Sequence, residues 1–355
     1  MQDVTQIELI ILGKEKEITF VQYIGSANDF TEKPVTIKKP VERIVVLSDG
    51  EHAEALRVLG AMDNVEGVNS ELITREYARV FFPEFQDVTN IGSVYSEDYE
   101  AILSLNPDAV ITYTWWNYPE IEEHLPGVTV LRFNFYIGGT MFDEMRRLGY
   151  LLDSREEAQE YIDFVEGYEN IVKEKIETLS EDEKPRVYVE SGRDAWKTFN
   201  SIGGPAYQLR MAGCRNIAED LAGSATGTVQ VDPEWVIEEN PEIIVKLMGW
   251  MQGGGYGTDD PSELENTIVE IGSRPALAGV NAVQNENVYA ITYDVLYHPS
   301  MIVSIAYFGK WFHPELFEDL DPQVVHQEYL DTFHESLNWN VYENGVFAYP
   351  PFEES

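Results

Sequence analysis

Two sets of side chains in this chain of 355 residues could do chemistry. Asp49, Glu51 and His52 follow the apolar run Arg43-Ile-Val-Val-Leu-Ser48, and Tyr293, Tyr297 and His298 follow a second run that ends at Thr292. Carboxylates beside an imidazole could move protons; tyrosine and histidine could ligate a haem iron. Aromatic side chains gather where other apolar runs end. Trp115, Trp116 and Tyr118 follow Thr114, and Phe135 and Tyr136 follow Phe133. Arg193 and Trp196 follow Ser191, and Trp250, Met251 and Tyr256 follow Leu247. Such a surface suits a large, partly apolar ligand such as a metal chelate. Two bland readings stay open: packing beneath a loop for each aromatic, and helix-start packing for His298, which precedes Pro299. Candidate cations are few (Arg193, Lys197 and Arg132), so a neutral or cationic chelate or a corrinoid is easier to hold than an anionic siderophore or an oxyanion.

Other chemistries lack their residues. The six histidines (His52, His124, His298, His313, His326, His334) never combine i, i+4 spacing with a third nearby ligand, so no zinc site is expected. The single cysteine, Cys214, permits no internal disulfide and reads as a small buried residue rather than a nucleophile. There is no dinucleotide fingerprint, nucleophile elbow or cysteine cluster. Gly253-Gly-Gly255 reads as a mobile loop and not as a phosphate loop, because no Lys-Ser/Thr follows it and no strand–helix frame surrounds it. No catalytic residue, cofactor or resident metal is expected.

The 63 acidic residues against 24 basic ones give a formal charge of −39, which repels nucleic acid and anionic membranes. No stretch of eighteen apolar residues would span a bilayer. No export signal is visible, since Met1-Gln2-Asp3 leads directly into alternating apolar residues.

The elements that must position these groups alternate. A β-rich leader (Ile7, Leu9 and Ile11, then Ile18, Val21 and Tyr23) ends at Pro34 and Pro40. Strands are expected at 43–48, 65–68, 109–114, 128–133, 186–191, 243–247 and 288–292. Helices are expected at 53–59, 99–105, 206–212, 233–239, 300–312 and 322–337, with an aromatic loop at 81–85. This pattern argues for parallel α/β sheets. Ser154 and Glu157 form a capping box for one long helix. Its apolar stripe would run through Ala158, Tyr161, Ile162, Val165, Tyr168, Ile171, Val172, Ile176 and Leu179. From 154 to 180 it would be roughly 40 Å long at about 1.5 Å per residue, either a spine between two lobes or a long helix across one sheet.

The two halves match. Arg43-Ile-Val-Val-Leu-Ser48 aligns with Arg186-Val-Tyr-Val-Glu-Ser191, and Leu56-Arg57 with Leu209-Arg210. Glu100-Ala-Ile-Leu-Ser-Leu-Asn-Pro-Asp-Ala-Val-Ile aligns with Glu234-Trp-Val-Ile-Glu-Glu-Asn-Pro-Glu-Ile-Ile-Val. Three matches in one order argue for two similar α/β lobes with a cleft between them.

With these motifs assembled, the chain resembles the solute-binding proteins of ABC importers for iron–siderophore complexes, haem and cobalamin. The likeness covers about 40–335. It rests on the two motifs just aligned together with Pro40-Val-Glu-Arg-Ile-Val-Val-Leu, Ala212-Gly-Cys-Arg-Asn-Ile-Ala, Arg274-Pro-Ala-Leu-Ala-Gly-Val-Asn-Ala-Val and Trp311-Phe-His-Pro-Glu-Leu-Phe. The resemblance implies an α/β fold of two Rossmann-like lobes with mostly parallel sheets, joined by one long helix. The expected divisions are a leader at 1–40, an N-terminal lobe at 41–139, a helical spine at 140–180, a C-terminal lobe at 181–337 and a surface tail at 338–355. It implies capture of a metal chelate, most simply an iron–siderophore complex, by a monomer outside the cytoplasm. The protein would be anchored at the cell surface or periplasmic, its export signal since removed. By motif position Glu100 and Glu234 would dock onto arginines of a permease dimer; the plain alternative is that each merely favours the first turn of its helix. A chelatase-like enzyme using Asp49, Glu51, His52 and His298 is the rival reading, and a surface capture protein without a permease is a third.

Overall fold

Ile44–Val46 and Ala109–Tyr113 are apolar and buried along their whole length, as strands covered on both faces must be. The computed structural model describes residues 16–26, 29–192, 194–224, 226–249 and 252–352. The alternation at Ile7, Leu9 and Ile11 lies outside them, as do Arg193, Trp250 and Met251. The chain forms two compact units, Met1–Phe135 with Thr140–Ile162, and Tyr136–Gly139 with Asp163–Ser355.

The first unit holds a five-stranded parallel sheet in the order Thr89–Asn90, Val65–Val68, Ile44–Val46, Ala109–Tyr113, Thr129–Phe133. The expected aromatic loop at 81–85 is instead the end of helix Glu76–Phe81 and a 3-10 turn, Pro83–Asp87. Phe81, Phe82 and Phe85 are buried there, and Arg57 lies over the first two rings while pairing with Glu84 at 2.6 Å. The leader forms an antiparallel hairpin of Glu17–Ser26 and Asp29–Lys38. Its buried Gln22 donates to the carbonyl of Val130 and accepts from the N–H of Arg132, so one amide serves the open edge of Thr129–Phe133 as a neighbouring strand would. Val21 and Tyr23 point outward.

The second unit repeats the plan. Arg215–Asn216, Arg186–Glu190, Ile243–Met248 and Val288–Thr292 are parallel neighbours in that order. The tail does more than cover surface: Ala348–Tyr349 adds an antiparallel edge strand to Val288–Thr292, and Phe347 is buried. The glycine run is tied to that tail, because Gly255 and Val346 exchange backbone hydrogen bonds. Helix Ser262–Gly272 stands in a stretch with no earlier assignment.

The long helix is Arg155–Ile176, about 33 Å at about 1.5 Å per residue. The division between the units falls inside it. Ala158, Tyr161, Ile162, Val165, Val172 and Ile176 are buried as the stripe requires, but Ile171 is 46% exposed and Glu169 is buried in its place. Glu169 accepts a hydrogen bond from Tyr207 at 2.7 Å. A helical period of 3.6 carries the stripe from Val165 to position 169 whatever residue stands there.

A matched latch joins helix to strand in each unit. After helix Tyr99–Ser104, Asn106 takes φ 48°; after Pro233–Glu239, Asn240 takes φ 43°. Arg43 donates to the carbonyls of Leu105 and Asn106, and Arg186 to that of Glu239. The acid after each Asn-Pro closes the latch: Asp108 accepts from the N–H of Arg43 at 3.0 Å, and Glu242 from that of Arg186 at 2.9 Å. Carbonyls left over at a helix end thus meet guanidinium donors, and asparagine tolerates the left-handed turn.

Asn106 is exposed and its turn has positive φ. Asn106→Gly is therefore expected to keep stability within about 0.5 kcal/mol, whereas Asn106→Ala loses about 1 kcal/mol in urea unfolding; equal stability of the two would contradict the latch. A second expectation concerns Glu144, buried under the N–H of Asn134 at 2.5 Å. Burial raises its carboxyl to about 7, although Arg147 opposes the rise. The folded chain then holds a proton that the unfolded chain has released, so stability falls as pH rises from about 4.5 to about 7. Glu144→Gln should flatten that slope by on the order of 1–3 kcal/mol, read as melting temperature against pH.

Candidate ligand-binding site

In the first unit an aromatic shelf is built where Ala109–Tyr113 ends. Arg132, fully buried on the neighbouring strand, donates at 2.7 Å to the carbonyls of both Tyr113 and Trp116, while Glu122 pairs with its guanidinium at 2.9 Å. One buried cation thus pins the turn that carries the tryptophans. Trp115 stacks on Tyr113 at 5.3 Å and meets Trp116 edge-on at 5.2 Å. Tyr95 adds a further ring 5.8 Å from Trp116. It stands in the turn between Gly92–Ser93 and Ser96–Glu97, which Glu71 anchors by accepting from Ser93 and from the N–H of Val94. Burial alone would raise the Glu71 carboxyl, but the hydrogen bonds from Ser93 and Asn69 outweigh it and hold the group below the usual range. Tyr95 is 72% exposed, Tyr118 42% and Trp115 40%. Folded proteins rarely leave three aromatic residues this open on one short stretch of surface without a use.

The acidic candidates divide. Asp49 pairs with Arg75 at 2.9 Å, and the Tyr113 hydroxyl donates to Glu51 at 2.6 Å. Burial and the charges of Glu51 and Asp49 push the Tyr113 phenol well above its usual range. Glu51 and His52 are buried, His52 completely; its ring sits edge-on to Tyr113 and Phe135 and one nitrogen lies 3.1 Å from the carbonyl of Phe133. His52 is a core residue beneath the shelf, with no surface to offer a ligand.

In the second unit Tyr293 and Tyr297 sit edge-on at 4.7 Å after Val288–Thr292. Gly204 lies so close to the Tyr297 ring that a Cβ there would fall 2.3 Å from it. Tyr136, grouped with this unit, is half-buried and bears on Tyr297 electrostatically; burial first, then Tyr293 and Tyr136, raise the Tyr297 hydroxyl well above the phenol range. His298 is 2% exposed at the start of the 3-10 turn Pro299–Met301, which matches the packing reading. Trp196 is also held by packing: its ring lies under the Arg274 guanidinium at 5.0 Å and against the core. Lys197 pairs with Asp194 at 3.1 Å.

Beneath these strand ends lies an ion cluster for which the sequence suggested no role, although Glu190 and Arg274 stand in two of the quoted motifs. Glu190 accepts from Lys246 at 3.0 Å and from Arg274 at 2.6 and 2.9 Å, and Lys246 also donates to the carbonyl of Ser191. Burial would raise the Glu190 carboxyl; the hydrogen bonds from Arg274 and the charge of Lys246 outweigh it and hold it low. A charged residue inside an otherwise apolar strand, as at Lys246, was the available signal. Tyr95 had a weaker one, an aromatic between turn residues.

Glu100 and Glu234 are both exposed in the first turns of their helices, and neither makes an ion pair among the described residues. Among those residues no group of three or more histidine, cysteine or acidic side chains is placed to hold a metal ion. Cys214 is half-buried, with its thiol raised by desolvation. A polar cavity of about 580 Å3, lined in part by Asp331, His334, Trp339 and Asn340, shares none of the strand-end residues.

The sequence model of the periplasmic binding proteins matches residues 44–295. An uncharacterised ABC transporter substrate-binding lipoprotein of Bacillus subtilis, YvrC, is 23% identical over 86% of this chain and 91% of its own length. The TroA-like periplasmic binding protein FepB of Veillonella parvula superposes with a TM-score of 0.71 at 20% identity, over 92% of this chain and 98% of that one. MolA of Haemophilus influenzae, solved with molybdate bound, superposes with a TM-score of 0.66 at 18% identity, over 88% and 98%. Two α/β units built on parallel sheets, a repeated latch and a family match across most of its length lead to one conclusion: the chain belongs to the periplasmic binding protein family, in its ABC-importer type.

Proposed function

We propose that this protein captures a metal chelate of neutral or cationic charge, an iron–siderophore complex in the first instance, and delivers it to an ABC permease dimer outside the cytoplasm. It works as a monomer held at the membrane by an anchor, and performs no chemistry on its cargo. The observation that carries this reading is the shelf of Tyr95, Trp115, Trp116 and Tyr118, three of them at least 40% exposed at a strand end. Open aromatic faces give a chelate's organic shell apolar contact and attract cationic character.

Charge supports the same choice. Arg75, Arg132 and Lys197 are each engaged by a carboxylate, which weighs against an oxyanion such as the molybdate bound by MolA. A corrinoid would use the same shelf and is the second cargo to test. A chelatase is disfavoured because His52 lies in the core, where substrate does not reach it. Glu100 and Glu234 are assigned to permease docking, since each presents an exposed carboxylate at the same place in its unit's repeat.

Tryptophan fluorescence should be titrated with a ferric hydroxamate, a ferric catecholate, haem and cobalamin. Saturable quenching by the hydroxamate is expected, and Trp115→Ala should weaken it about tenfold, the equivalent of about 1.4 kcal/mol. Quenching by none of the four would end the chelate reading. The double variant Glu100→Ala/Glu234→Ala should bind the same chelate unchanged yet lose uptake when it replaces the wild-type protein in cells; retained uptake would remove the docking assignment.

A further inference from the structure

The docking glutamates do not stand alone. Three residues on, Leu103 is 40% exposed and Ile237 is 42% exposed. Residues i and i+3 share a helix face, so each unit presents one carboxylate beside one open aliphatic side chain. The residue just before each exposed aliphatic is fully buried, Ile102 in the first core and Val236 in the second. The register is the same throughout: an aspartate at the N-cap (Asp98, Asp232), the glutamate, the buried aliphatic, the exposed aliphatic, then Asn-Pro and the acid of the latch. Because the latch is made alike in both units, each helix is fixed to its own sheet in the same way.

One exposed aliphatic residue on a surface needs no explanation. The same exposure at the same register in both units does, because the two sequences have diverged at most neighbouring positions while keeping an aliphatic there. Val269, exposed by 59% on helix Ser262–Gly272, has no such counterpart and serves as a contrast. A partner that reads both units through one chemistry must present that chemistry twice.

We infer that Leu103 and Ile237 are the apolar halves of two matched docking teeth, Glu100 with Leu103 and Glu234 with Ile237. Their partner is a two-fold symmetric membrane permease that offers, in each subunit, a cationic side chain bordered by an apolar hollow. This rests on the docking reading above and adds to it the second contact. The apolar contact excludes water from the neighbouring ion pair, which strengthens a carboxylate–cation bond that is weak when exposed. It also opposes docking by unrelated cationic proteins, which a surface with a charge of −39 would otherwise attract.

The test is saturation binding of the radiolabelled full chain to right-side-out membrane vesicles from cells of its source. Wild type should bind saturably, Glu100→Ala/Glu234→Ala should not, and Leu103→Ser/Ile237→Ser should bind at least tenfold more weakly. Leu103→Met/Ile237→Met should bind within about threefold of wild type, and Val269→Ser should be unchanged. Circular dichroism and the chelate titration confirm that each variant is folded. If the serine pair binds like wild type while the alanine pair fails, the apolar teeth are wrong and the glutamate docking stands. If the alanine pair also binds like wild type, or if wild type shows no saturable binding, the docking reading itself falls and this inference with it.

Discussion

A guanidinium placed at the start of a strand, facing the carbonyls at the end of a helix, is the interaction on which each unit turns. Arg43 and Arg186 supply it, and each is met by an Asn in the left-handed conformation and an acid that returns a hydrogen bond to the arginine's own backbone. Helix ends leave polar groups that water or a side chain must satisfy. Here the satisfying side chain comes from the adjacent strand, so helix direction and strand position are set by one contact. The helix that carries Glu100 or Glu234 and the strand beside it are therefore oriented together.

Buried charge does comparable work at the ends of the strands. Arg132 ties two carbonyls of the tryptophan turn, and Lys246 with Arg274 closes on Glu190 below Ser191. Arg132 and Lys246 are buried, and Arg274 partly so, at the cost of desolvation, which hydrogen bonding must offset. The result is loops whose backbone is held while their outer side chains stay open. A binding surface that must keep its shape without its ligand gains from that arrangement, since less ordering remains to be done on capture.

Periodicity made much of this legible. Strands 186–191, 243–247 and 288–292 and the helix Pro233–Glu239 appear where apolar runs and Pro/Gly punctuation put them. The repeat was legible because its latch needs particular residue types, Arg, Asn, Pro and an acid, at fixed spacing. The site was harder to read. His52 lies in a suggestive sequence, but its ring fits a slot between Tyr113 and Phe135 that only the folded sheet creates. Arg132 looked like a free cation because Glu122, ten residues earlier, is brought to it by tertiary structure. Ile171 seemed to belong to the helix stripe by its type, yet helical geometry awards that place to Glu169, whose partner Tyr207 is distant in sequence.

The four residues Tyr136–Gly139 group with the second unit although they are flanked on both sides by chain of the first. Gly138 packs against Tyr207 and Met301 so closely that no Cβ would fit. During synthesis the first unit can bury its own core once residue 162 has emerged, but this short bridge must wait for partners made much later. At about 5–20 residues per second, Met301 follows Gly138 by roughly ten to thirty seconds. The segment therefore settles only after most of the second unit has been made, as do Tyr168 and Lys175 of the long helix, whose partners Glu328 and Leu316 come later still.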